Sequence, residues 1–188
     1  STEQHGLHLP LDTDQRDLDY VAHEAARRVD DVPVLVTPLI PYGVSPHHMP
    51  HAGTITFSVE TTLRVLREVC ESIAAHGFER IIILSGHGGN GNTVGASALE
   101  LRHTLKLQIS GLNWWDLCGP EIDAATTGPC HTIGHAGEAE TSCIMKLAPQ
   151  LVRQDKLQLV PDISDDPSIA TADKGERILE AGVAAVME

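Results

Sequence analysis

RIIILSGHGGNGN, residues 80–92, decides the fold. Arg80–Leu84 (RIIIL) is a short, β-branched apolar run, the pattern of a strand buried on both faces of a parallel sheet. It ends directly in a glycine-rich turn, and a helix follows from about Asn92 to His103. The next apolar run, Leu107–Asn113 (LQISGLN), supplies a further strand. Upstream, Ser58 caps a helix reaching about His76, with Leu63, Leu66, Val69, Cys70 and Ile73 inward and Gly77 as its stop. Before it lie a proline-rich loop, 41–53, and an apolar strand run, Val32–Ile40 (VPVLVTPLI). Asp17–Val29 reads as an amphipathic helix with Leu18, Val21, Ala22, Ala25 and Val29 on one face. Downstream, the pattern predicts a helix over Gly137–Leu147, an edge strand over Leu157–Val160, a loop at 161–168 (PDISDDPS) and a closing amphipathic helix over Thr171–Met187. Strands alternating with helices predict a three-layer α/β sandwich with a mainly parallel central sheet.

Composition narrows the function. The chain has 188 residues, enough for one domain, 1–188, with one core. A net charge of −13 argues against nucleic acid or an anionic membrane surface as partner. No apolar run approaches the ~18 residues of a membrane span, and no basic segment followed by an apolar stretch marks a secretion signal. The four cysteines, Cys70, Cys118, Cys130 and Cys143, show no CxxC spacing. Reduced thiols in a cytoplasmic protein are expected.

Three segments carry metal-ligand chemistry. STEQHGLHLPLDTD (1–14) gathers Glu3, His5, His8, Asp12 and Asp14 around a Gly-Leu-Pro turn. Glu3 and His5, two apart, point to one side of an extended segment, and Gly6 and Pro10 turn the chain back towards Asp14. SGHGGNGN (85–92) adds His87 just after a strand, where open α/β sheets place their sites. A phosphate-cradling turn competes with ligation there, but the GxGxxG spacing and P-loop lysine are missing. GHAGEAETS (134–142) adds His135, Glu138 and Glu140. Two apart on a helix, the glutamates diverge by about 200°, so only one can face a site. Mixed His and carboxylate donors suit Zn, Mn or Fe, and a bridging carboxylate suggests two ions and hydrolysis. His47, His48 and His51 on the proline-rich loop read as solvated or substrate-facing. The pair Trp114-Trp115 reads as lining a site, with core packing as the alternative. Asp116 either orients a substrate or starts the next helix. Because the first ligand segment opens the chain with no strand before it, a preceding strand is expected to be missing from the chain as given.

Together the three segments resemble the creatininase (creatinine amidohydrolase) family: EQHGLHLPLDTD, GHGGN and GHAGEAETS match its three elements in order and spacing. The resemblance implies a binuclear centre in which Glu3, Asp14 and His87 hold one divalent ion and His5, Asp14 and Glu140 the other, with Asp14 bridging. It implies His135 as general acid/base, a small cyclic or linear amide as substrate, cleavage of its C–N bond by a hydroxide shared between the ions, and a homo-oligomer, often a hexamer. Trp114, Trp115, Asp116 and His48 are the candidate substrate-binding residues. Creatininase proper carries an aromatic and a Glu where this chain has Gly88 and Gly89, and a Trp-Asp pair where it has His131-Thr132. These departures point away from creatinine itself. The GHGGN form occurs in relatives that cleave other C–N bonds, a formamide deformylase and a peptidase maturing a redox-cofactor precursor among them. Two other classes remain: a nucleotide- or phosphate-binding module using the 86–91 turn, and a non-catalytic metal-binding protein.

Overall fold

The computed structural model describes residues 1–188. Its centre is a parallel pair of strands, β1 (Arg80–Ser85) and β2 (Gln108–Asn113), in the register Ile81 to Ile109 and Ile83 to Gly111. The crossover between them is helix α3 (Gly91–Leu105). Successive strand residues point to opposite faces, and this separates two cores. Ile83 and Ile109 pack with Leu66, Cys70, Val94, Ala98 and Leu101, beneath α3 and α2 (Val59–Ala75). Leu84 turns the other way, onto a larger cluster built from Val21, Trp114, Cys143, Ile178, Leu179 and Val183. That layer holds α1 (Thr13–Arg28), α4 (Gly119–Ala125), α5 (Glu138–Leu147) and α6 (Ala172–Met187). Helices, sheet and helices make the α/β sandwich expected from the pattern.

Local signals operate as read. Ser58 accepts a hydrogen bond from Thr61 N–H and starts α2, and Gly77 beyond its end takes φ +87°. Thr171 accepts from Lys174 N–H and starts α6. Helix α1 begins at Thr13, four residues before the expected start at Asp17, so Asp14 lies in its first turn, where the helix dipole favours a carboxylate. The sheet is smaller than expected. Residues 32–40 form no strand and pair with nothing, and Leu35 is 74 % exposed. A strand exists only through its partner's hydrogen bonds, and Pro33 and Pro38 remove two donors from this run. Residues 157–160 are likewise unpaired, with Leu159 61 % exposed.

Candidate metal centre

Five of the ligand candidates converge where β1 ends. The Ser85 hydroxyl accepts from His87 N–H at 3.1 Å and donates to His87 O at 3.0 Å, which fixes the backbone at the mouth of the turn. His87 Nδ1 then sits 3.1 Å from Glu3 Oε1 and 3.2 Å from Asp14 Oδ2. On the other side of Asp14, His5 Nε2 lies 2.9 Å from Asp14 Oδ1 and 3.7 Å from Glu140 Oε2. The donor atoms of Glu3, Asp14 and His87 fall within 4.8 Å of one another, and so do those of His5, Asp14 and Glu140. Asp14 belongs to both groups. A third grouping joins Glu3, His5 and His135. All but His135 are buried.

The tautomers follow from carbonyl partners, which can only accept. His87 Nε2 faces Val44 O at 3.1 Å, so it carries the hydrogen and leaves Nδ1 with its lone pair towards Glu3 and Asp14. His5 Nδ1 faces Glu3 O at 3.1 Å, which leaves Nε2 towards Asp14 and Glu140. A lone pair aimed at carboxylates needs a cation between them, either a proton or a metal ion. Histidine ligands are oriented in this way, by a hydrogen bond on the far nitrogen. Glu3 Oε1, Asp14 Oδ2 and His135 Nε2 are buried without a hydrogen-bond partner, and such orphaned atoms are uncommon unless something else satisfies them. The donor set fits divalent cations.

The electrostatics agree. Burial opposes the charge on His87, but Asp14 and Glu3 outweigh it and raise its pKa to about 9. His5 rises for the same reason, with Asp14 and Glu140 overcoming burial. Burial pushes Glu3 up, yet the His87 imidazole brings it down to about 2. Without metal, protons on His5 and His87 take the place of cations. His135 behaves oppositely: burial, then His5 and His48, hold it at about 3, so its ring is neutral.

Around the cluster is a cavity of about 310 Å³, with His47, His48, Gly88, Trp115 and His135 on its walls. His48 stacks on His135 at 4.1 Å and 20°, and its Nε2 is 3.6 Å from Glu3 Oε1. Trp115 faces the cavity, but Trp114 does not. It is 1 % exposed in the core, so its place is decided by burial of its apolar area. Asp116 accepts from Asn113 N–H and Nδ2, capping a short turn at Trp114–Leu117 rather than facing the cavity. His8 is buried against Thr141 Oγ1 at 2.9 Å, and Asp12 pairs with Arg16 outside. Glu138 turns away to Thr127, Gly128 and Lys174, leaving Glu140 for the cluster.

Three contributors escaped sequence reasoning. Ser45, fully buried, donates to Glu3 Oε2 and meets His87 Nε2 at 2.9 Å. Asn90 Oδ1 accepts from Val44 N–H at 2.9 Å and holds that loop on the turn. Asp17 is buried beside Asp14 and Glu140, and burial together with those charges raises its pKa well above the carboxylate range. Only Asp17 left a signal: Asp14, Asp17 and Val21 share the inward stripe of α1.

The family model described as creatinine amidohydrolase matches residues 1–188. The chain belongs to the creatininase family. A mycofactocin precursor peptide peptidase of Mycobacterium tuberculosis (strain H37Rv) is 33 % identical over 212 residues, spanning 97 % of this chain and 78 % of that protein. The creatinine amidohydrolase of Pseudomonas putida is 24 % identical over 223 residues, spanning 99 % and 84 %. A creatininase crystal structure superposes with a TM-score of 0.87 at 22 % identity, and a creatininase variant of Zn-Zn type with 0.82 at 23 %; both cover all of this chain and 85 % of theirs. The chain is therefore a creatininase-family hydrolase with that family's fold. Its departure at Gly89 has a steric cause. A Cβ there would lie 2.2 Å from Val44 O and 2.4 Å from His87 Nε2, so this loop admits no side chain at that position. Gly88 beside it faces open space.

Proposed function

We propose that this creatininase-family hydrolase cleaves the C–N amide bond of a linear, peptide-like substrate at a centre of two divalent cations. Glu3, Asp14 and His87 would hold one ion; His5, Asp14 and Glu140 would hold the other. The observation that carries this is the pair of histidines whose far nitrogens are fixed by carbonyls and whose lone pairs converge on one shared carboxylate, Asp14. When bound, divalent cations supply Lewis acidity at the carbonyl oxygen and lower the pKa of water towards ~7. The rest is assigned to side chains. His135, neutral and with Nε2 free, takes the proton that the attacking water gives up and delivers it to the leaving nitrogen. While it carries that proton, Glu3 Oε1, 3.7 Å from Nδ1, steadies the charge. His48 and Trp115 orient the substrate. The opening at Gly88 and the greater identity to a peptide peptidase than to the creatinine enzyme favour an extended substrate. Three carboxylates beside the turn repel a phosphate, which disfavours the nucleotide reading.

Residues 1–188 are proposed to act as one unit within a homo-oligomer, a hexamer by resemblance to the family. No helix is long and apolar enough to cross a membrane. Elemental analysis for Zn, Mn and Fe, paired with hydrolysis assays on creatinine, a formamide and a short peptide, tests the reading. About two ions per chain and peptide cleavage are expected. No ion after reconstitution, or turnover of creatinine alone, refutes it.

A further inference from the structure

His135 is given the proton in the proposed reaction, yet no side-chain hydrogen bond holds its ring. Nε2 has no partner and Nδ1 only approaches Glu3. The rings of His48 and His5, at 4.1 and 4.5 Å, are soft neighbours. The backbone around it is unusual: Gly134 has φ +67° and Ala136 φ +50°. The left-handed region is unfavourable for a residue with a Cβ, and such a conformation persists only where its surroundings impose it.

The surroundings that impose it come largely from the 161–168 loop. Ser164 Oγ accepts from His135 N–H at 2.6 Å, and Ser164 N–H donates to His135 O at 2.9 Å, so one residue brackets both backbone groups of His135. The neighbouring Asp165, 5 % exposed, accepts from Glu138 N–H at 2.7 Å, at the first residue of α5. Between these anchors Gly137 is pressed onto the same carboxylate: a Cβ there would lie 2.0 Å from Asp165 Oδ1. The segment from His135 to Glu138 is thus clamped at both ends by two adjacent residues.

We propose that Ser164 and Asp165 are positioning residues that set the place of the His135 imidazole over the carboxylate cluster. This rests on the assignment of His135 as the acid–base group. Neither residue itself hydrogen-bonds a carboxylate of the cluster, but Ala136 N–H inside the clamped segment donates to Glu140 Oε2, so Zn content is the readout that separates an effect through His135 from one through Glu140. A misplacement of about 1 Å can lower a rate by ~100-fold.

The test uses the full chain reconstituted with Zn. Ser164→Ala, Asp165→Ala, Asp165→Asn and His135→Ala are compared by steady-state kinetics on the short peptide, by Zn content, and by hydrogen–deuterium exchange over residues 134–138. Ser164→Ala and Asp165→Ala are expected to lower kcat by roughly 10- to 100-fold with KM and Zn content unchanged, and to speed exchange in that segment. Asp165→Asn, whose amide oxygen still accepts from Glu138 N–H, is expected to stay near wild type. In a His135→Ala background, Ser164→Ala is expected to cost nothing further, because its effect passes through the missing imidazole. Unchanged kcat with faster exchange, unchanged exchange, or Zn lost in step with kcat overturns the proposal. His135→Ala separates the two readings. If it abolishes turnover while the clamp variants do not, the clamp fails and the acid–base assignment stands. If it retains turnover, the assignment itself fails.

Discussion

Stripping the cations should turn the site's stability upside down with pH. In the metal-free protein the pKa of His87 is raised from 6.5 to about 9, because Asp14 and Glu3 outweigh burial. A group bound more tightly to its proton when folded stabilises the fold fully below its unfolded pKa, near 6.5, and loses that contribution as pH climbs through the folded value. At 1.36 kcal/mol per pH unit, His87 alone contributes about 3 kcal/mol that disappears between about pH 6.5 and 9. His5 is raised too and acts in the same direction. For a chain of this size, that is a fall in Tm of roughly 10 °C. The acid side behaves oppositely. His135, held at about 3 chiefly by burial and by His5, must be protonated on unfolding below 6.5, and Glu3, brought to about 2, loses its contribution as pH drops below 4.5. The stripped protein is therefore expected to be most stable near pH 6.5. On the proposed ligand assignment metal ions would replace the protons on His5 and His87, so the alkaline loss should vanish at saturating Zn. Differential scanning fluorimetry from pH 4 to 9, with and without Zn, measures both curves. A stripped protein whose Tm holds or rises between pH 6.5 and 9 would refute the assignment of these two histidines.

Asp14→Ala should abolish binding of both ions, whereas Glu140→Gln should leave about one per chain by elemental analysis; equal loss in the two variants would contradict the shared role of Asp14. Ser45→Ala removes the hydroxyl linking Glu3 Oε2 to His87 Nε2, and Zn affinity measured by chelator competition is expected to fall about 10- to 100-fold. Gly89→Ala forces a methyl against Val44 O and should destabilise by about 1–3 kcal/mol. Gly88→Ala points into open space and should stay within about 0.5 kcal/mol by urea denaturation.

Local patterns were legible wherever neighbours in sequence are neighbours in space. The helix over Val59–Ala75, the strand from Arg80 and the closing helix from Ala172 appear close to where capping residues and periodicity put them. Residues 32–40 misled, because an apolar run says that a segment favours burial in a sheet without saying whether a partner strand is present. Trp114 and Trp115 show the same limit at one residue's scale. Adjacent and chemically identical, they differ only in which way the turn at 114–117 aims them, one into the core and one into the cavity.

The sequence by itself determined the donor types, their placement after strands and at helix starts, and the family resemblance they carry, since those depend on residue identity and short spacing. Only the tertiary structure decided which donors meet. His8 and Glu138 carry the same functional groups as His5 and Glu140, yet they bond Thr141 and the 127–128 backbone instead. The approach of His87 and Glu140 to Asp14, the His87 tautomer set by the Val44 carbonyl, and the Ser164–Asp165 clamp all join segments far apart in the chain. Such contacts are fixed by how the helices and the sheet pack, which no local pattern encodes.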